Sequence, residues 1–302
     1  MNQLIECIPN FSEGKDQSIL DALSDIVTSH KGVALLDVKP DVSHNRTVFT
    51  FVGEPQAVAD TAFLLCEKAT ELIDLRRHRG EHPRMGATDV IPFVPVKNVS
   101  IEECVALSKV VAKRIWEELA IPVFLYEASA SSSNRVNLAA IRKGQFEGMP
   151  EKLKQEEWQP DFGKPQIHPS AGVVAVGARA PLVAFNINLN TDDLAIANAI
   201  AKKIRGSSGG YTYIKAIGVK LEERGIVQVS MNMVNTDKNP LYQAMEAVRF
   251  EARRYGVSVV GSEIIGLTPA KALYESAAYY LQLEDFDPEL QVLENRVGEL
   301  GE

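Results

Sequence analysis

Cysteine is scarce, and its three copies, Cys7, Cys66 and Cys104, lie far apart on apolar segments. Neither the paired spacing of a zinc site nor an even-numbered disulfide framework can be built from them, so they are expected to be buried free thiols. An apolar run of membrane-spanning quality is also missing. The most apolar stretch, "VVAVGARAPLVAFNINL" at 173–189, is broken by Arg179, Pro181 and two asparagines. The N-terminus, "MNQLIECIPN", has no basic stretch ahead of an apolar one, so no signal peptide is expected and the chain reads as cytoplasmic. A basic surplus is absent too. Lys plus Arg number 32 against 40 Asp plus Glu, a net charge of -8, and such a field repels nucleic acid and anionic membrane at long range.

What is present is ordinary for a globular protein: 45% hydrophobic and 24% charged residues over 302 positions. That length exceeds one core, so two subdomains are expected, 1–178 and 179–302. In the first, an apolar run at 3–9 precedes a 3.6-period segment at 15–29 whose Ile19, Leu20, Leu23, Ile26 and Val27 form one stripe. "GVALLDV" (32–38) and "TVFTFVG" (47–53) read as strands of a hairpin with a long connection. A helix is expected from Pro55 to Arg79, with Gly80 as its left-handed cap. The strand "VIPFVPV" (90–96) follows, placed at an edge or bent because Pro92 and Pro95 carry no N–H. A capping box from Ser100 to Glu103 opens a helix running to about Leu119, and "PVFLY" (122–126) is a strand. From 128 to 172 the chain is less regular, with a short helix at "RVNLAAIRKG" and a Pro/Gly-rich crossing, "QPDFGKPQIHPSAG".

The second half runs strand 182–189, helix 191–205, strands 213–219 and 226–234, helix 240–255 closed by Gly256, and strand 257–264. Both halves read βαββαβ, so the expected fold class is α+β: two ferredoxin-like subdomains with antiparallel sheets facing a central cleft. In "IVQVSMNMV", Val227, Val229, Met231 and Met233 share one face while Gln228, Ser230 and Asn232 share the other. "VAFNINLN" likewise sets Val183, Phe185, Ile187 and Leu189 opposite Asn186, Asn188 and Asn190. A face of amides and hydroxyls suits either hydration or a cleft that takes a polar heterocycle. The same topology occurs in RNA-binding modules, but the net charge and the lack of an aromatic and basic strand signature argue against RNA.

The stretch "HRGEHPRMG" (78–86) places His78 and His82 four positions apart. On a helix both rings would share one face, as a zinc site demands. Gly80 and Pro83 oppose that, the first by ending the helix and the second by driving His82 toward extended geometry. His78 is therefore expected in the last helical turn, complementing the helix dipole. His82 falls in the loop beyond, flanked by Glu81 and Arg84, where catalytic groups tend to sit. Its ordinary pKa of about 6.5 lets it take and return a proton near neutrality. Residues 76–84 carry four arginines against one glutamate, a local charge of +3, which suits a carboxylate site as well as a charged helix end. Arg46 in "SHNRTV" and the turn "PNFSEG" are further polar clusters at strand ends.

Taken in order, "CIPNFSEG", "NRTVFTFVG", "RHRGEHPRMGATDVIPFVPV", "QPDFGKP", "VAFNINL" and "VVGSEIIGLTP" resemble the glutamate formimidoyltransferase (formiminotransferase) family over nearly the whole length. The resemblance implies a homodimer of two-subdomain chains that moves the formimino group of N-formimino-L-glutamate to tetrahydrofolate in histidine degradation. The family's catalytic histidine falls on His82. Its folate strip falls on Gly163, Lys164, Pro165, Gln166, Ile167, His168, Pro169, Ser170, Ala171 and Gly172, at the junction between the halves. Mammalian members carry a cyclodeaminase domain as well; this chain is expected to lack it and to release its product. On this reading the tetrahydrofolate amine attacks an amidine carbon that is electrophilic without a metal, and His82 carries one proton from the attacking nitrogen to the leaving amine. Arg46 and Arg84 pair with the glutamate carboxylates. A formyl donor at the same folate site, or a metabolite sensor without turnover, are the alternatives.

Overall fold

The computed structural model describes residues 3–80 and 82–298. Glu81, expected beside His82, lies outside them. The chain divides into two compact units, Met1–Ala180 and Pro181–Glu302.

The first unit contains β1 (Leu4–Cys7), β2 (Asn10–Phe11), α1 (Gln17–Ser29), β3 (Val33–Asp41), β4 (Arg46–Gly53), α2 (Pro55–Leu72), β5 (Thr88–Lys97), α3 (Ile101–Leu119), β6 (Val123–Glu127), α4 (Leu138–Arg142), α5 (Gln145–Lys152) and β7 (Val174–Ala178). β1 and β2 both lie between β4 and β5, and β3 pairs with β4 on its other side. All these pairings are antiparallel, but β7 then pairs parallel with β5, and β6 parallel with β7. The sheet is therefore mixed, not antiparallel as expected. β7 escaped the alternation test because "VAVGA" is buried along its whole length, the pattern of a parallel strand covered on both faces. Its neighbours divide accordingly. Ile91, Phe93, Val123, Leu125, Val174 and Val176 join a core with α1, α2 and α3, whereas Val90, Phe124, Tyr126 and Ala175 pack with Ile141, Met149 and Leu153 from the α4–α5 side.

β5 is interior, which corrects its placement at an edge, and its prolines are accommodated where the ladder is already interrupted. Pro92 accepts a hydrogen bond from the Ile8 N–H at the break between β1 and β2. Pro95 lies at the register shift beside Leu4 and Ile5. A missing N–H costs little at such points. The β3–β4 hairpin also differs from expectation: β3 runs on to Asp41, so its connection is short.

α2 stops at Leu72, seven residues before the expected end, with Ile73 already extended. Asp74 starts a separate turn, its carboxylate accepting from the Arg76 backbone N–H at 3.0 Å, a local alternative to helix. The Leu75 N–H is drawn to the Ser170 carbonyl. Gly80 is not a left-handed cap, since it is not among the glycines with positive φ. It is needed for close approach: a Cβ there would stand 2.3 Å from the His44 carbonyl oxygen. Segment 78–80 thus lies directly on the β3–β4 connection.

The second unit contains β8 (Val183–Leu189), α6 (Leu194–Ile204), β9 (Ile214–Leu221), β10 (Ile226–Met233), α7 (Leu241–Arg253), β11 (Val259–Ile265), α8 (Ala270–Leu281), α9 (Pro288–Gln291) and α10 (Leu293–Gly298). Its sheet is antiparallel in the order β11-β8-β10-β9. The apolar face read from the sequence is the core, with Val183, Ile187, Leu189, Val227, Val229 and Met233 fully buried. On the opposite face Asn186, Asn188 and Gln228 are buried as well. The Gln228 amide donates to Asn188 Oδ1 at 2.8 Å and to Glu263 Oε1 at 2.5 Å, so these amides satisfy one another as buried polar groups must.

The three cysteines are buried and free, and burial raises the Cys66 thiol to about 12 and Cys104 to about 11. Among the described residues no helix is long and apolar enough to cross a membrane.

Candidate active site

His82 stands in the loop between α2 and β5, where Pro83 forbids it a helical neighbour. Arg46, the first residue of β4, brings its Nη1 to 3.3 Å from His82 Nδ1 and 3.2 Å from Nε2. A neutral ring has one acceptor nitrogen, so one of these contacts is a hydrogen bond and the other a close approach, and among the described residues the Arg46 guanidinium has no further hydrogen-bond partner. The contact follows from local structure on both chains. Asn45 adopts the left-handed conformation, φ 47°, its Oδ1 accepts from the Gly14 N–H at 3.0 Å and its Nδ2 donates to the Arg79 carbonyl at 3.0 Å. The turn "PNFSEG", the β3–β4 connection and the histidine loop are thereby tied together.

His78 is buried at 6% exposure and outside any helix, so it does not complement a helix dipole. Its Nε2–H donates to the Asn45 carbonyl at 2.8 Å, and its Nδ1 accepts from Arg84 Nε at 3.1 Å. That pair of bonds requires the neutral ring. Burial, ahead of the nearby Arg84 cation, lowers its pKa accordingly. Arg84 is also buried. Beyond His78 it donates to Gln145 Oε1 at 3.1 Å and, in bidentate fashion, to Glu147 at 2.8 and 2.7 Å. A substrate carboxylate would have to displace Glu147 to reach it.

The sequence reading missed Asp89 and Arg142. Asp89 is 1% exposed, accepts from the Met85 N–H at 2.8 Å and pairs with Arg142 at 2.6 Å. Arg142 ends α4, remote in sequence, and only the signal of a buried carboxylate needing a cation could have pointed to it. Its charge reaches both Arg46 and His82. Burial and the Arg142 charge make protonation of Arg46 costlier than usual, so a second anion is electrostatically favoured here. Burial, then Arg46, Arg142 and His44, depress His82 to about 3. At neutral pH its imidazole is an uncharged proton acceptor.

The loop 163–172 belongs to the first unit and immediately precedes β7. Lys164, Pro165 and Gln166 are exposed at its tip, whereas Ile167 packs against the Met85 cluster. Its far end is anchored beside the histidine loop: Ala87 N–H donates to the Ala171 carbonyl, Val173 N–H to Met85, and His168 and Gly172 exchange backbone bonds. The His168 Nδ1 accepts from the Ala171 N–H at 3.0 Å. Gly172 has φ +71°, and a Cβ there would stand 2.1 Å from the Met85 carbonyl oxygen. The expected proton carrier, Arg46 and the expected folate strip thus converge on one unit, while Arg84 serves its scaffold.

Comparison with known proteins is consistent from end to end. The family model for the formiminotransferase domain, N-terminal subdomain, matches residues 4–179, and that for the formiminotransferase domain matches residues 184–298. Glutamate formimidoyltransferase of Streptococcus pyogenes serotype M1 is 61% identical over 98% of this chain and 99% of its own. The protein of that name from Thermoplasma acidophilum is 47% identical over 97% of both chains. Rat formimidoyltransferase-cyclodeaminase is 44% identical over 99% of this chain and 57% of its own length.

Proposed function

The chain belongs to the formiminotransferase family, and from that premise we propose that His82 is its proton carrier and Arg46 its carboxylate clamp. The reaction itself is that of the family: the formimino group of N-formimino-L-glutamate passes to tetrahydrofolate, giving 5-formiminotetrahydrofolate and L-glutamate. Its proton inventory is simple. The attacking secondary amine loses one proton, the tetrahedral carbon then carries two competing amines, and the glutamate nitrogen must gain a proton to leave. The depressed pKa of His82 keeps its ring free to accept, and the same depression makes its imidazolium a strong donor to the leaving amine.

The observation that carries this reading is the contact between Arg46 and His82. A guanidinium that has no carboxylate partner among the described residues, under the field of Arg142, is suited to a carboxylate of formiminoglutamate. Neutralising Arg46 would relieve the cation pressing on His82 and raise its proton affinity while substrate is bound. Arg84 is proposed as a second, weaker contact, since Glu147 occupies its fork. Folate is proposed to lie along Gly163–Gly172, whose tip is exposed and whose far end is anchored by backbone hydrogen bonds. The strand order of the second unit supports the ferredoxin-like class there. In the first unit β1, β3, β4 and β5 have the same order, with β7 and β6 added. A cytoplasmic homodimer and a subdomain division at 178/179, two residues before the break between the compact units, are proposed with it. Purified protein given tetrahydrofolate and formiminoglutamate should consume both, and a folded His82→Ala variant should lose about 10²–10⁴-fold in kcat. Wild-type turnover by that variant would remove His82 from the mechanism.

A further inference from the structure

Two imidazoles, not one, stand at this site. His44, in the β3–β4 connection, has its ring centroid 6.3 Å from that of His82, at an interplanar angle of 64°. Its Nδ1 lies 2.7 Å from Asp41 Oδ2, and its backbone N–H donates to the other oxygen of the same carboxylate at 2.8 Å. Asp41 ends β3, so the carboxylate is held by a paired strand and grips the connection at two points. A carboxylate on Nδ1 selects the tautomer with its proton there and leaves Nε2 as the lone pair. His44 is about half exposed, open to solvent where His82 is largely enclosed. Among the described residues, the charged groups around the pair are Asp41 on β3, Arg46 on β4 and Arg142 on α4.

We infer that His44, oriented by Asp41, is a second acid–base residue of the transfer, taking over from His82 the protonation of the leaving nitrogen while His82 keeps the deprotonation of the attacking one. This rests on the assignment of His82 as proton carrier. The transfer forms one C–N bond and breaks another on a carbon that keeps its imino nitrogen and holds the incoming and leaving nitrogens on different sides. A single ring must pivot between them, whereas two rings can serve one nitrogen each. His82 takes the proton from the attacking folate nitrogen as the new C–N bond forms. His44, in its protonated state, gives its Nε2 proton to the glutamate nitrogen as the old C–N bond breaks. The proton on His82 then returns to His44 across the gap, which one bridging water can span. The cycle closes with one proton moved from the folate amine to glutamate, and none gained or lost.

The test is steady-state turnover of His44→Gln and Asp41→Asn across a pH range, with folding checked by circular dichroism and thermal unfolding. His44→Gln should lower kcat roughly 10- to 100-fold, the lower part of the range for acid–base groups because water can substitute in part. Both Michaelis constants should stay within about twofold, one limb of the kcat–pH profile should disappear, and added imidazole should restore part of the rate. Asp41→Asn should reduce kcat in the same direction with the limb displaced. An unchanged kcat and unchanged pH profile in His44→Gln would overturn the inference. His82→Ala run alongside separates the two readings: if it alone loses turnover, the second imidazole fails and the first stands. If His82→Ala turns over normally, both fall.

Discussion

Arg46 and Arg84 carry the same charge within the first unit, but their surroundings differ. Arg84 has spent its donors on His78, Gln145 and Glu147, and Arg46 meets a histidine ring that takes no charge from it. Arg46→Ala should therefore raise the Michaelis constant for formiminoglutamate roughly 10- to 100-fold, the size of a lost charge-assisted hydrogen bond, with a smaller change for tetrahydrofolate. Arg84→Ala leaves Glu147 and the buried His78 without their donor, so its main loss should be in thermal stability. A Michaelis constant for formiminoglutamate unchanged in Arg84→Ala would exclude that residue as a clamp. At this scale the sequence revealed the residue types but not their engagements: His82 was legible from Pro83 and its charged neighbours, whereas Asp89 and Arg142 are 53 residues apart and meet only in the folded unit.

Among the elements, the loop ending at Gly172 shows how a backbone position can serve a site. Its positive φ and its 2.1 Å virtual contact with the Met85 carbonyl admit no side chain. Gly172→Ala should destabilise the protein by at least about 1 kcal/mol and weaken tetrahydrofolate binding, because the loop end would lift from the histidine segment; calorimetry with the folate and thermal unfolding read the two effects separately. The helices with complete end signals were legible in advance: Ser100 and Glu103 form the capping box at the start of α3. α2 was misjudged at its far end because apolar spacing continues past Leu72, while the Asp74 turn and the Leu75 bond to Ser170 decide where it stops. The prolines of β5 misled for a related reason. Their tolerance depends on breaks in the neighbouring strand, which no local pattern in β5 encodes.

On the scale of the whole molecule, pH acts through several histidines in one direction. His82 is depressed to about 3, and His78 and His168 are lowered as well, each first by burial. Unfolded, these rings take protons below their ordinary value of about 6.5; folded, they resist. The unfolded state binds more protons in that window, so their contribution to stability is present above about pH 6.5 and is lost as the pH falls toward their folded values. The melting temperature should drop between pH 7 and pH 5, and less steeply in His82→Gln; a pH-independent difference between that variant and wild type would refute the linkage. The sequence by itself determined the two-part α+β character, the apolar faces of the second sheet, the free thiols and the position of His82, because each follows from local spacing or from chain geometry at proline. Only the tertiary structure decided that the first sheet is mixed, that the helix ends at Leu72, before "HRGEHPRMG" starts, and that Arg84 is engaged by His78, Gln145 and Glu147. Those outcomes depend on strand pairing and on charges brought together across long separations, and these are settled only when the chain folds.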